Sequence, residues 1–203
     1  MSEMKFSNVD VIGNEEYLLE NRKERETKGI FGRIFNAIIY PKNPKYTFCF
    51  YMPKYIYLRS VSFCNEVEEE VGGEFDVSDL ARVLYDDFLE YVRNFKNDIN
   101  EIHNIYNRLK ARSLNPTRIM PFSTDDVYEG VIFKEHRGFE LISVKIEHKD
   151  ALKGELLLRD MLEIYPEHGF ILENILEIIY YDFIEDFRKF LIKNPVQKIV
   201  QYI

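Results

Sequence analysis

The chain has 203 residues, of which 46% are apolar and 15% aromatic, and its formal net charge is −8. This length suits one large domain or two small lobes, and the apolar content is too high for a disordered chain. A negatively charged surface repels phosphate backbones, so the composition argues against nonspecific nucleic-acid binding and suits either solubility or a basic protein partner.

Cysteine usage and the N-terminal sequence bear on the compartment. Cys49 and Cys64 are the only cysteines, and neither has a nearby cysteine or histidine at the spacing of a metal site. We expect both thiols to be reduced and buried. The first residues lack the basic start and apolar run of a signal peptide, and no stretch approaches roughly 18 apolar residues. These features predict a cytoplasmic protein that does not span a membrane.

The sequence of the first 64 residues predicts five elements. Weak alternation favours a short strand at residues 5–12, and dense charge favours an exposed helix at residues 14–28. Residues 29–40 have helical apolar spacing and predict a helix docked in the core. Aromatic and β-branched residues then favour two strands, at residues 46–52 and 55–64.

The most regular apolar pattern predicts one unbroken helix over residues 77–112. Its apolar positions recur at alternating steps of four and three, as in a single stripe on a helix. Asp76 or Ser78 can cap its start. At about 1.5 Å per residue the helix would be roughly 50 Å long, which exceeds a small domain's diameter. We therefore expect it to project, bend, or pair with a second copy in an antiparallel homodimer.

The second half of the chain predicts two strands followed by two helices. The strands lie at residues 127–135 and 139–147, and Gly138 supplies the positive φ of a tight hairpin between them. The helices lie at residues 151–165 and 170–193. The second helix is apolar on most sides, which indicates burial from several directions.

Two segments resemble each other. Residues 85–95 align with residues 180–190 at an offset of 95, and six of the eleven positions are identical. Since each segment follows a predicted strand pair, we hypothesise two β-hairpin–helix halves that share one core. The alternative is that two amphipathic helices rich in Tyr, Phe and Asp match by chance.

The predicted fold class is α+β, with antiparallel strand pairs packed against long helices. We expect a single domain over residues 1–203. The best internal boundary is residues 113–117, which would separate lobes at 1–112 and 117–203.

Common catalytic and cofactor motifs are absent from the sequence. No histidine pair has metal-ligand spacing, and no phosphate-binding loop, dinucleotide-binding turn or Gly-x-Ser-x-Gly elbow occurs. We therefore predict no cofactor and no zinc site. The four histidines are His103, His136, His148 and His168.

One constellation carries a mechanism. Glu147, one residue and then Lys149 follow a predicted strand, and Asp126 lies upstream across the hairpin. This resembles the carboxylate and acid-x-Lys pattern of metal-dependent nucleases of the restriction-endonuclease type. The resemblance implies that Asp126 and Glu147 hold Mg²⁺ and that Lys149 orients or activates water. The alternative is a solvated strand end.

The leading functional prediction is a non-catalytic protein that binds another protein. The candidate classes are an immunity or antitoxin-like inhibitor and a phage or host regulatory factor. The second hypothesis is the Mg²⁺-dependent nuclease, and the third is a small-molecule binding module with a Tyr-lined pocket between sheet and helices.

Overall fold

The protein has an α+β fold with one two-stranded antiparallel sheet. The computed structural model describes residues 5–26, 44–94, 99–113 and 138–203. Its elements are α1 (Val11–Glu26), β1 (Lys45–Pro53), α2 (Lys54–Val71), α3 (Val77–Arg93), α4 (Ile99–Ser113), β2 (Phe139–Glu147), α5 (His148–Ile164), α6 (Leu172–Arg188) and α7 (Pro195–Val200). In this part of the chain no helix is long and apolar enough to cross a membrane.

The chain divides into two compact units. The first comprises Met1–Phe48 and Lys145–Leu172, and the second comprises Cys49–Val144 and Glu173–Ile203. The first unit packs α1 against α5, and the second packs α2 against α3 and α7. The prediction of one domain with lobes at 1–112 and 117–203 stays a prediction.

The order strand–helix–helix occurs twice along the chain. β1, α2 and α3 form the first half, and β2, α5 and α6 form the second. Both strands have nine residues, and in both the fourth, sixth and eighth residues are buried. The backbone N–H of Lys54 donates to the Gly138 carbonyl at 2.9 Å, and the N–H of His148 donates to the Pro44 carbonyl at 2.8 Å. In each bond the donor is the residue just after one strand, and the acceptor is the residue just before the other strand.

The halves also share their pattern of buried helix positions. In α2 and α5, Ser60 corresponds to Gly154, and Cys64 corresponds to Leu158; all four are buried. In α3 and α6, other buried pairs follow the offset of 95, namely Leu80 and Ile175, Ala81 and Leu176, Val83 and Ile178, Tyr85 and Tyr180, and Leu89 and Ile184. The described elements therefore favour a repeat unit of one strand followed by two helices. The predicted hairpin of the first half is wrong, because residues 55–64 are helical, and strand 127–135 of the second predicted hairpin lies outside the described residues.

The prediction of a strand at residues 55–64 is wrong, because this stretch lies in α2. The buried residues of α2 are Ile56, Ser60, Phe63, Cys64 and Val67, a helical spacing. Tyr55 and Leu58 are 52% and 58% exposed, and these surface apolar residues made the segment resemble a strand with two apolar faces. Gly72, at φ 68°, ends the helix, and its N–H donates to the Glu68 carbonyl.

The unbroken helix over residues 77–112 is also contradicted. α3 ends at Arg93, with Asn94 as its C-cap, and α4 begins at Ile99. Asn94, Asn97 and Asp98 have low helix propensity, which the continuous apolar stripe outweighed in the prediction. The predicted cap at Asp76 is confirmed. The homodimer stays a prediction, although its argument from helix length no longer holds.

Other predictions had mixed outcomes. Residues 6–9 form bends instead of the strand predicted at residues 5–12, and α1 begins at Val11. The strands predicted at 46–52 and 139–147 are confirmed, as are helices in the regions of residues 14–28, 151–165 and 170–193, with shifted ends. The predicted helix at 29–40, the predicted strand at 127–135 and residues 114–117 of the predicted boundary lie outside the described residues.

Candidate functional site: a cleft between α3 and α6

A cleft of about 410 Å³ lies between α3 and α6 in the second unit. We call it the α3–α6 cleft. Its lining residues come from the two repeated helices and from the segments that follow them: Leu84, Asp87, Phe88 and Tyr91 of α3, Arg108 of α4, Ile179, Asp182, Phe183 and Asp186 of α6, and Ile192 and Lys198 beyond α6.

The two helices line the cleft with corresponding positions of the repeat. The offset of 95 pairs Leu84 with Ile179, Asp87 with Asp182, Phe88 with Phe183, and Tyr91 with Asp186. Three of the four pairs conserve side-chain character, and only the last pair differs. The cleft is therefore a product of the repeat, with one chemically asymmetric position.

Local sequence explains why these side chains reach the cleft. The Asp76 carboxylate accepts from the N–H groups of Ser78 and Asp79 at 2.7 and 2.9 Å, which fixes the start of α3. One face of α3 then buries Leu80, Leu84 and Tyr85. Asp87, Phe88 and Tyr91 follow Leu84 by three, four and seven positions, so they lie on the same side of α3 as Leu84 and line the cleft with it.

Two aspartates of the cleft form ion pairs with cations from the other half. Asp87 pairs with Lys198 at 3.2 Å, and Asp182 pairs with Arg108 at 3.2 Å. Lys198 lies in α7, after the second half, and Arg108 lies in α4, after the first half. Each pair therefore joins one half to the segment that follows the other half. Both cations are exposed, so each pair contributes little to stability in water.

Asp186 differs from the other two aspartates. Its side chain is exposed, and it forms no ion pair with any residue that the structure describes. It occupies the position that corresponds to Tyr91, whose hydroxyl donates to Glu101 at 3.1 Å. With three carboxylates and two cations, the lining has an excess of one negative charge, and that charge is centred on Asp186.

Tyr202 ties the C-terminal segment to the cleft. Its hydroxyl donates to the Asp87 carboxylate at 2.6 Å. This hydrogen bond, followed by burial and the nearby charges of Asp87, Glu90 and Asp86, raises the pKa of Tyr202 to about 12. The phenol is therefore a donor throughout the neutral pH range, and it holds Asp87 in place beside Lys198.

No protein-family model matches this chain, and no curated protein or solved structure matches it either. The chemistry of the cleft must therefore be inferred from its own residues. An apolar lining with a carboxylate that has no ion pair among the described residues can hold a cationic group through charge while an adjoining apolar group is buried.

The residues of the predicted nuclease site lie elsewhere. Glu147 ends β2, and its carboxylate pairs with the Lys149 ammonium at 2.9 Å. Asp126 lies outside the described residues. Among the residues that are described, no group of three or more His, Cys, Asp or Glu is placed to hold a metal ion. Of the three proposed nuclease residues, the structure brings together only Glu147 and Lys149, and the nuclease hypothesis stays a prediction.

His168 stabilises a loop through hydrogen bonds, and neither cysteine forms a disulfide. The N–H of Phe170 donates to Nδ1 of His168, and Nε2 lies 2.9 Å from the Leu158 carbonyl, which makes the ring a connector in the loop before α6. Burial lowers the pKa of His168. Both cysteines are unpaired, and burial raises the pKa of the Cys64 thiol to about 12, so this thiol is a weak nucleophile.

The internal match between two segments of the sequence was a signal for the cleft that a search for known motifs does not detect. The match between residues 85–95 and 180–190 includes Asp87, Asp182 and four further residues that line the cleft, namely Phe88, Tyr91, Phe183 and Asp186. A repeated aspartate on an amphipathic helix indicates a surface that both halves present. Arg108 and Lys198 carry no comparable signal, because they pair with the other half across long sequence distances.

Proposed function

We propose that this protein acts by binding another protein, and that the α3–α6 cleft receives a segment of that partner in which basic and apolar side chains alternate. The observation that carries the proposal is the composition of the cleft. Five apolar side chains line it, and Asp186 adds a carboxylate without an ion pair among the described residues. Lysine and arginine suit such a site, because the aliphatic part of each side chain can pack against the apolar lining while its cationic group approaches the carboxylate.

The size of the cleft supports this occupant. Its volume of about 410 Å³ falls within the roughly 300–1,000 Å³ of typical ligand sites, which is enough for a few side chains but not for a folded element. A protein segment that inserts one or two anchor residues fits this volume. Such anchors carry most of the energy in protein interfaces.

The charge of the whole chain supports a basic partner. The net charge of −8 would accelerate the approach of a positively charged protein, more so at low ionic strength. An inhibitor of the immunity or antitoxin type and a phage or host regulatory factor both fit this description. A cytoplasmic location is part of the proposal, and two unpaired cysteines support it.

A small organic cation is the second candidate occupant. The cleft volume and the presence of Tyr91 favour it, because aromatic rings and carboxylates together recognise amines. Phenethylamine combines an amine with an apolar ring and is a suitable probe. Phenylacetate has the same ring with the opposite charge and is its matched control.

Fluorescence anisotropy with a labelled peptide tests the leading proposal. The probe is a synthetic peptide in which Arg and Lys alternate with Leu and Phe, and its control replaces every Arg and Lys with Glu. We expect the basic peptide to bind and the acidic one not to bind. Asp186→Lys should weaken binding about tenfold, which corresponds to roughly 1.4 kcal/mol, because it replaces attraction by repulsion at the edge of the cleft.

Glu69→Lys is the matched control, since it makes the same charge change at an exposed position of α2 outside the cleft. It should alter the affinity less than about twofold. Equal effects of the two variants would mean that only net charge matters, and the proposed site would be wrong. Phenethylamine that displaces the peptide, while phenylacetate does not, would favour the small-molecule candidate.

A further inference from the structure

The segment that follows α6 is basic and exposes two large apolar side chains. We call residues 189–193 the tip. Phe190 is 93% exposed and Leu191 is 67% exposed. From Phe187 to Ile203 the chain has four Lys or Arg and no Asp or Glu, in contrast to its net charge of −8.

The backbone holds the tip in a defined conformation. Phe190 has a φ of 57°, in the left-handed region that bulky residues rarely adopt. Its N–H donates to the Phe187 carbonyl at 3.0 Å, and the Leu191 N–H donates to the Asp186 carbonyl at 2.9 Å. Glycine would suit this position better, so a phenylalanine here indicates that its side chain has a role.

The chemistry of the tip matches that of the α3–α6 cleft. The tip offers apolar side chains beside Lys193, which is exposed and forms no ion pair with any described residue. The cleft offers an apolar lining beside Asp186, whose carboxylate is also exposed and forms no ion pair with any described residue. Ile192 belongs to the tip and also lines the cleft, so the two surfaces adjoin on one molecule.

From this complementarity we propose that a second copy of this chain is an occupant of the cleft. In this arrangement the tip of each copy enters the cleft of the other, with Phe190 and Leu191 against the apolar lining and Lys193 near Asp186. Because tip and cleft adjoin, one two-fold axis satisfies both contacts, and the assembly closes as a dimer. The inference rests on the proposed function, since it requires that the cleft accept a basic, apolar segment.

Self-association then regulates access to the cleft. A dimer covers both clefts, so a partner protein must displace the tip before it binds. The affinity of the basic probe peptide should therefore fall as the protein concentration rises through the range of dimer formation.

Sedimentation velocity on a pair of charge-reversed variants tests the inference. Lys193→Glu and Asp186→Lys each place like charges at both contacts of a homodimer, so each variant alone should dimerise at least about tenfold more weakly than the parent chain. An equimolar mixture should recover association, because both contacts then join opposite charges. Lys145→Glu and Glu69→Lys make the same charge changes at exposed positions away from the tip and cleft, and they should dimerise like the parent.

Phe190→Gly separates association from folding. Glycine suits the φ of 57°, so this variant should be at least as stable as the parent by thermal melting, yet it should lose dimer formation. A parent chain that stays monomeric at every concentration and still binds the basic peptide would overturn the inference and leave the proposed function standing. A dimer that persists in Phe190→Gly, or a mixture that does not recover association, would also overturn it.

Discussion

At the scale of single residues, Asp87 connects the cleft to the C-terminal segment. It accepts from the Tyr202 hydroxyl at 2.6 Å and pairs with Lys198 at 3.2 Å. Both donors lie more than a hundred residues later in the chain. The Asp87 carboxylate therefore joins α3 to the C-terminal segment, whose helix α7 also packs against α2. The contribution of Tyr202 can be measured through its raised pKa.

The Tyr202 hydrogen bond predicts a specific loss of stability in alkali. Its pKa is about 12 in the folded protein and about 10 in an unfolded chain, so folding favours the protonated phenol. The stabilisation is fully present below about pH 10 and is lost as the pH rises towards 12. Urea unfolding across this range should show that the stability of the parent chain falls more steeply than that of Tyr202→Phe. Parallel curves would contradict the assigned hydrogen bond.

At the scale of elements, the start of α1 is held by a side chain of α5. The buried Glu155 carboxyl group accepts from the N–H groups of Val11 and Ile12 at 2.9 and 2.7 Å, and from the Ser7 hydroxyl. Unpaired N–H groups and the positive end of the helix dipole make such a site favourable for a carboxyl oxygen.

Glu155→Gln should destabilise the protein by about 2 kcal/mol, because an amide group cannot accept all of these hydrogen bonds and leaves a buried donor unpaired. Chemical denaturation measures the loss. Glu163→Gln changes an exposed residue of the same helix and should cost less than about 0.5 kcal/mol. If both substitutions cost the same small amount, Glu155 does not hold α1.

The elements that the sequence predicted well are those with local signals. β2 was predicted from its residue content, and the start of α3 was predicted because Asp76 is a strong N-cap. The start of α1 was missed although Asp10 caps it locally, its carboxylate accepting from the Gly13 N–H at 3.2 Å. The bonds from Glu155, 144 residues away, are not visible in the sequence. The helical identity of α2 was missed because Tyr55 and Leu58 are exposed, and burial is not visible in a sequence.

At the scale of the whole molecule, the repeat of strand, helix and helix relates sequence to site. Corresponding positions of α3 and α6 line one cleft, and ion pairs from both halves flank it. The sequence match at residues 85–95 and 180–190 therefore predicted the two helices that form the cleft. It could not predict that they face the same space, because that depends on packing between distant segments.

The central claim is that α3 and α6 bind a basic, apolar protein segment together. Hydrogen exchange with mass spectrometry, on the full chain with and without the basic probe peptide, tests it most directly. We predict that the peptide slows amide exchange in both Val77–Arg93 and Leu172–Arg188, and that Asp186→Lys reduces the effect in both at a peptide concentration near the Kd of the parent chain. Slower exchange in only one of these helices, or only around Glu147 and Lys149, would contradict the account.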